Sequence, residues 1–132
     1  TPNETVETYS ARIALATPDL ICNIFDDLPS YWSTAKAQNE SEASHFPIPD
    51  DKMRMIDWSD HVHKADAKAR AFGRYGCIAK INNQIWAIYD HDYWLEDHQY
   101  TFGQVILSQP KHTVVSINKG FFVIKDGAQL DI

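Results

Sequence analysis

Two short runs, Asp90-His91-Asp92 and Glu96-Asp97-His98, hold the densest collection of side chains able to bind a metal ion or move a proton. Imidazole nitrogens and carboxylate oxygens are the donors that zinc and related ions accept. The spacing matches no defined metal site, however, and the runs fall between apolar strands, which predicts a solvated polar loop. His61 and His63 stand two residues apart on an expected helix, so their side chains point roughly 200° apart and cannot grip one ion together. Nucleophilic chemistry fares no better. Ser59 is expected to cap that helix, Cys77 opens an apolar strand, and no Gly-x-Ser-x-Gly turn is present. The five glycines stand singly, which excludes a glycine-rich phosphate loop. The expected set is therefore no catalytic residue, no metal ligand and no cofactor-binding residue in this chain.

The elements that would position these groups can be read from periodicity. Val6, Tyr9, Ile13 and Ala16 make one apolar helical face, with Asn3 as a cap. Thr17-Pro18 reads as the start of a second helix carrying Leu20, Ile21, Ile24, Phe25 and Leu28, or as a kink in a single one. Residues 30–57 hold Pro47 and Pro49 and no sustained period, the character of a long linker. Val62, Ala65, Ala69 and Phe72 then recur at helical spacing, and Gly73 sits where a helix stop is wanted. Beyond it the period changes to strands. Cys77–Ile81 and Gln84–Tyr89 flank Asn82-Asn83, a pair suited to a tight hairpin. Further strands are expected over 103–107, 113–117 and 121–125, with a short one after Asp126-Gly127. Short strands divided by turns predict a small closed antiparallel barrel, since closure removes exposed edges.

Charge and composition narrow the possibilities. Residues 1–57 hold ten acidic and four basic side chains, whereas residues 58–132 hold eight of each, so the β module is neutral. Such a module lacks the clustered positive charge on which duplex and tRNA binding rest. No apolar run approaches the roughly 20 residues of a membrane span, and no signal-peptide pattern opens the chain. A soluble, cytoplasmic protein with no membrane partner is expected. Cys22 and Cys77 lie in different modules and are both expected to be reduced and buried.

Ile56-Asp57-Trp58-Ser59, about ten helical residues, Arg70-Ala71-Phe72-Gly73 and then a β module resemble the start of the C-terminal domain of the formyltransferase family. That family includes methionyl-tRNA formyltransferase and the sugar N-formyltransferases. Upstream, Gln38-Asn39-Glu40-Ser41-Glu42-Ala43-Ser44-His45-Phe46 is similar to the family's Gln-x-Glu-x-x-Ala-Thr-Tyr linker, in register with the first motif. The chain departs from the family in two places. Gly73-Arg74-Tyr75-Gly76 lacks the usual Pro-Gly pair, and Ala65 and Ala69 stand where larger aliphatics are common, which implies a closer or a weaker helix-to-barrel approach.

The resemblance implies an order of parts. Residues 1–29 would match the end of the family's catalytic domain, 30–57 its linker, and 58–132 an OB-like barrel domain with one packed helix. It also explains the missing active site. The family's Asn, its His in a His-x-Ser-x-Leu-Pro stretch and its later Asp belong to a Rossmann-like domain whose pattern does not occur here. The chain is thus expected to be a non-catalytic accessory domain. A catalytic domain in cis would use 10-formyltetrahydrofolate, and the chain's own part would be to orient substrate or buttress that domain. Trp58, Arg70 and Arg74 are the candidate substrate or domain contacts. The neutral barrel and acidic linker favour an amino sugar or other small amine acceptor over tRNA. A stand-alone OB-like binding module without enzyme activity is the alternative.

Overall fold

A computed structural model describes residues 3–131, which divide into two compact units: Glu7–Ile48, and the residues before it together with those from Pro49 onward. The first of these is helical. Helix α1 (Val6–Asp26) is followed by α2 (Leu28–Thr34) and a 3₁₀ turn, Glu40–Glu42. Pro18 lies inside α1 and does not split it. Proline removes a backbone donor, and the Thr17 hydroxyl beside it donates to the Ile13 carbonyl at 2.7 Å. One helix, not two, is therefore the outcome. No residue of α1 or α2 is buried. Cys22 is exposed, against the expectation that it would be covered.

The second unit is built on five antiparallel strands: β1 (Cys77–Ile81), β2 (Gln84–Leu95), β3 (Val105–Gln109), β4 (His112–Ile117) and β5 (Gly120–Leu130). Their order across the sheet is β1-β2-β5-β4-β3. Asn82 and Asn83 both take positive φ, 50° and 66°, and turn β1 into β2 with Ile81 opposite Gln84. This is the expected hairpin. Strands β2 and β5 run longer than expected because register shifts around Asp90 let them bend and continue. The segment after Gly127 is accordingly the end of β5 and not a separate strand.

Two short helices precede the sheet. Asp50 caps α3 (Asp51–Arg54), accepting from Met53 N–H at 2.8 Å. Helix α4 (Val62–Phe72) lies on the inner face of the sheet with Val62, Ala65 and Ala69 buried. Ala65 and Ala69, the two positions where the family carries larger aliphatics, are both part of this buried face. Around them stand Ile56, Cys77, Ala79, Ile88, Val115, Ile117 and Phe122, which make the core. Gly73 ends α4 with φ 46° while its N–H reaches Ala69 O. The sheet curls, but β1 and β3 remain its edges. The free edge of β1 is taken by the linker's end, where Ile56 N–H donates to Ile78 O at 2.7 Å and Met55 bridges Ile78 in parallel.

Candidate functional site

The segment Ile56-Asp57-Trp58-Ser59 is a constructed turn. Asp57 Oδ1 accepts both the N–H of Ser59, at 2.9 Å, and its hydroxyl, at 2.7 Å. Ser59 therefore does not cap α4. His61 does, with Nδ1 accepting His63 N–H at 3.2 Å. The turn spends the serine, so the helix starts two residues later than expected. Asn118, in the β4–β5 turn, then locks the segment to the barrel: its N–H donates to Trp58 O, its side-chain amide to Ser59 O, and its carbonyl accepts Val62 N–H. His61 stands outside the helix, so the two side chains are not set about 200° apart as expected, and its ring stacks on that of His63 with centroids 5.0 Å apart.

The Ser59 hydroxyl, and after it the Ser59 N–H, hold the Asp57 carboxyl below its ordinary value of 3.8. A carboxyl that titrates lower in the folded chain stabilises the fold above its unfolded pKa, and this is lost as pH falls through the folded one. Ser59→Ala is expected to move the Asp57 titration upward in a carbon-detected NMR experiment and to begin acid unfolding at a higher pH. An unchanged Asp57 titration would dismiss the turn as a source of acid stability.

Trp58 sits inward from this turn. Its Nε1–H donates to Lys80 O at 2.8 Å, and its ring meets Phe122 edge-on at 6.0 Å. Gly103, with φ 83°, lies against the indole so closely that a Cβ there would stand 2.7 Å from Cδ1. One face of Trp58 remains accessible and contributes to an open hollow of about 550 Å³ with Asp57, Ser59, Lys80, Ile85 and Phe102.

Arg70 belongs to a different constellation. In the last turn of α4 its Nε donates to Asp66 Oδ2 at 3.0 Å, while a terminal nitrogen donates to Glu4 O at 2.9 Å. The other Asp66 oxygen accepts His91 Nε2–H at 3.0 Å, and the His91 ring lies flat on Phe122 with centroids 5.0 Å apart. Only 13 % of the side-chain surface of Asp66 and of His91 is exposed. Arg74 is exposed in the 3₁₀ turn Gly73–Tyr75. Trp58 and Arg70 are thus each tied into the fold by identifiable partners.

Asp90, His91 and Asp92 lie within β2, where the expected loop is instead strand. Alternation along a strand sends neighbours to opposite faces, so the run is divided: His91 turns to Asp66, while Asp92 pairs at 3.6 Å with Lys125. Glu96, Asp97 and His98 do fall in the loop after β2. His98 shares its Nε2–H between the carbonyls of Ile117 and Gly120, each at 2.9 Å, and accepts Tyr100 N–H at Nδ1. That pins the loop across the outer face of the hairpin, and the Ser116 hydroxyl, donating to Thr101 O at 2.6 Å, pins it again. Among the described residues no three His, Cys, Asp or Glu side chains gather to hold a metal. Burial drives the Cys77 thiol up to about 11, which leaves it a poor nucleophile. No helix of the described residues is long and apolar enough to cross a membrane.

No protein-family model matches the chain, and no curated protein matches it in sequence. Solved structures do match. A variant of HypX from Aquifex aeolicus aligns over 98 % of this chain and 25 % of its own, with TM-score 0.68 and 14 % identity. HypX from Aquifex aeolicus in complex with tetrahydrofolic acid aligns over 80 % of this chain and 19 % of its own, with TM-score 0.57 and 16 % identity. This chain therefore spans a quarter or less of the length of those proteins. At such identities the likeness is one of fold: a small, mainly antiparallel β domain preceded by helices, of the kind found as one part of HypX.

Proposed function

We propose that this chain is the C-terminal accessory domain of a formyltransferase-like enzyme, itself non-catalytic, with the catalytic domain in cis. One observation carries the reading: nearly the whole chain, helices and linker included, follows the course of a section of HypX that is a quarter of that protein. HypX is also known in complex with tetrahydrofolic acid, in keeping with a parent enzyme that takes its formyl group from 10-formyltetrahydrofolate. Transfer to an amine needs a base and an oxyanion partner. The chain lacks the Asn, His and Asp pattern that supplies them in the family it resembles.

The helical unit supports a partner in cis. Tyr9, Ile13, Leu20, Ile21, Phe25, Tyr31 and Trp32 are all exposed on α1 and α2, and an amphipathic helix owes most of its stability to tertiary burial. We assign that cover to the catalytic domain and the cytoplasm as the compartment. For the acceptor, an amino sugar or other small amine remains favoured over tRNA. Arg70 is bound to Asp66 and Glu4, so it is poorly placed to neutralise a phosphate.

The test is formyl transfer from 10-formyltetrahydrofolate to a panel of amino-sugar nucleotides and aminoacyl-tRNA. The chain alone is expected to give none above background, and the whole gene product that contains it is expected to be active. Turnover by the chain alone, abolished by a substitution within it, would overturn the reading. A tRNA titration separates the acceptors: micromolar binding with a steep salt slope, weakened by Arg74→Ala, would put tRNA first.

A further inference from the structure

The inner face of the sheet is not covered along its whole length. Across the ladders Ile81 stands opposite Gln84, Ala79 opposite Trp86, Val105 opposite Val115, and Thr113 opposite Ile124. Alternation puts these positions on the same face as the core residues Cys77, Ile88 and Phe122. Helix α4 closes the core end of that face. At the other end Ile81, Asn82, Gln84, Trp86, Val105, Ser108, Thr113 and Ile124 line a cavity of about 150 Å³, and no residue of α4 takes part. The cavity lies between β1 and β3, the two outermost strands of the curled sheet.

We infer that this uncovered end of the barrel interior is a binding site for a small, neutral, planar ring with a hydrogen-bonding edge. Four features select that class. The volume is about that of a cavity known to take one benzene ring. Ile81, Val105, Ile124 and Trp86 offer an apolar surface, and barrel mouths are a common place for such pockets. At inward-facing positions the half-buried Thr113 puts a hydroxyl, and Gln84 at the exposed rim an amide, where a closed core would carry aliphatics, and Asn82 and Ser108, also exposed at the rim, add two more neutral donor–acceptor groups. No charged side chain lines the cavity, so a carboxylate or phosphate entering it would give up water without gaining a counter-charge.

The experiment is a heteronuclear NMR titration of the chain with benzamide, benzoate and cyclohexanecarboxamide. Benzamide is expected to saturate with a Kd on the order of 1 mM, as befits so small a ligand. Its shifts should be confined to residues 81–86, 105–108, 113 and 124. Benzoate, which is charged, and cyclohexanecarboxamide, which is not flat, should each bind at least about tenfold more weakly. Gln84→Ala and Thr113→Val are each expected to weaken benzamide roughly fivefold while leaving the remaining amide spectrum in place. The inference is overturned if benzamide does not saturate below about 20 mM, if either comparison compound binds as well, or if both variants bind it unchanged.

Discussion

Asp66→Ala is expected to cost about 2–4 kcal/mol of folding free energy, read as a lower urea midpoint at constant slope. The carboxylate accepts from Arg70 on one oxygen and from His91 on the other, each at 3.0 Å. Its removal leaves the Arg70 guanidinium and the His91 ring without their anion inside a largely covered site, where unpaired polar groups are expensive. The lower end of the range reflects Arg70, whose side chain keeps 25 % of its surface exposed and retains some water. A double-mutant cycle with Arg70→Ala should give a coupling of about 1–3 kcal/mol. Coupling near zero would mean that Arg70 is held by Glu4 alone and is available to a ligand. The consequence reaches function: an arginine whose main partner is an internal aspartate serves the helix-to-sheet joint first.

Trp58→Ala is expected to be of similar size, about 3 kcal/mol, because it removes a large aromatic side chain from the face of Phe122 and leaves a void beside Gly103. Trp58→Phe keeps most of the ring and loses only the bond to Lys80 O, so about 1 kcal/mol is expected. Thermal unfolding of the two variants against the parent chain provides the measurement. If Trp58→Ala melts with the parent, the indole is not a keystone of the turn, and its exposed face in the hollow with Phe102 would have to account for its presence. If the graded loss is found, the indole joins the linker to the barrel, and any contact made through that face is secondary.

The structural role of Ile56-Asp57-Trp58-Ser59 lies in partners that the linear motif does not contain. In the linear chain Ile56-Asp57-Trp58-Ser59 is a recognisable string, but each residue has its partner far away or in an unexpected direction. Ile56 meets Ile78, Trp58 meets Lys80 and Phe122, and Ser59 turns back to Asp57 in place of capping α4. Asn118 holds Ser59 from 59 positions away. Gly103 reads as the start of a strand until the indole beside it is placed, and β3 begins only at Val105.

What the sequence determined by itself was everything carried by local periodicity and turn chemistry. Val62, Ala65 and Ala69 recur on one helical face, and they are the residues α4 buries. Asn82-Asn83 tolerates the positive φ of a two-residue turn, and β1 and β2 meet there in the register that such a turn dictates. The change of period at Gly73 marked the passage from helix to sheet because 3.6 and 2 are the only spacings that bury one face of each element. The tertiary structure decided the rest. Asp66 and Arg70 stand four apart on a helix, a visible pair, but His91 joins them only because the bend in β2 near Asp90 brings its ring over Phe122. That bend also dissolves the apparent cluster at Asp90-His91-Asp92, since strand alternation divides neighbours that a loop would have kept together. The open barrel end was hidden for the same kind of reason: Gln84 and Thr113 look like ordinary strand polars until the ladders show which way the sheet is curled.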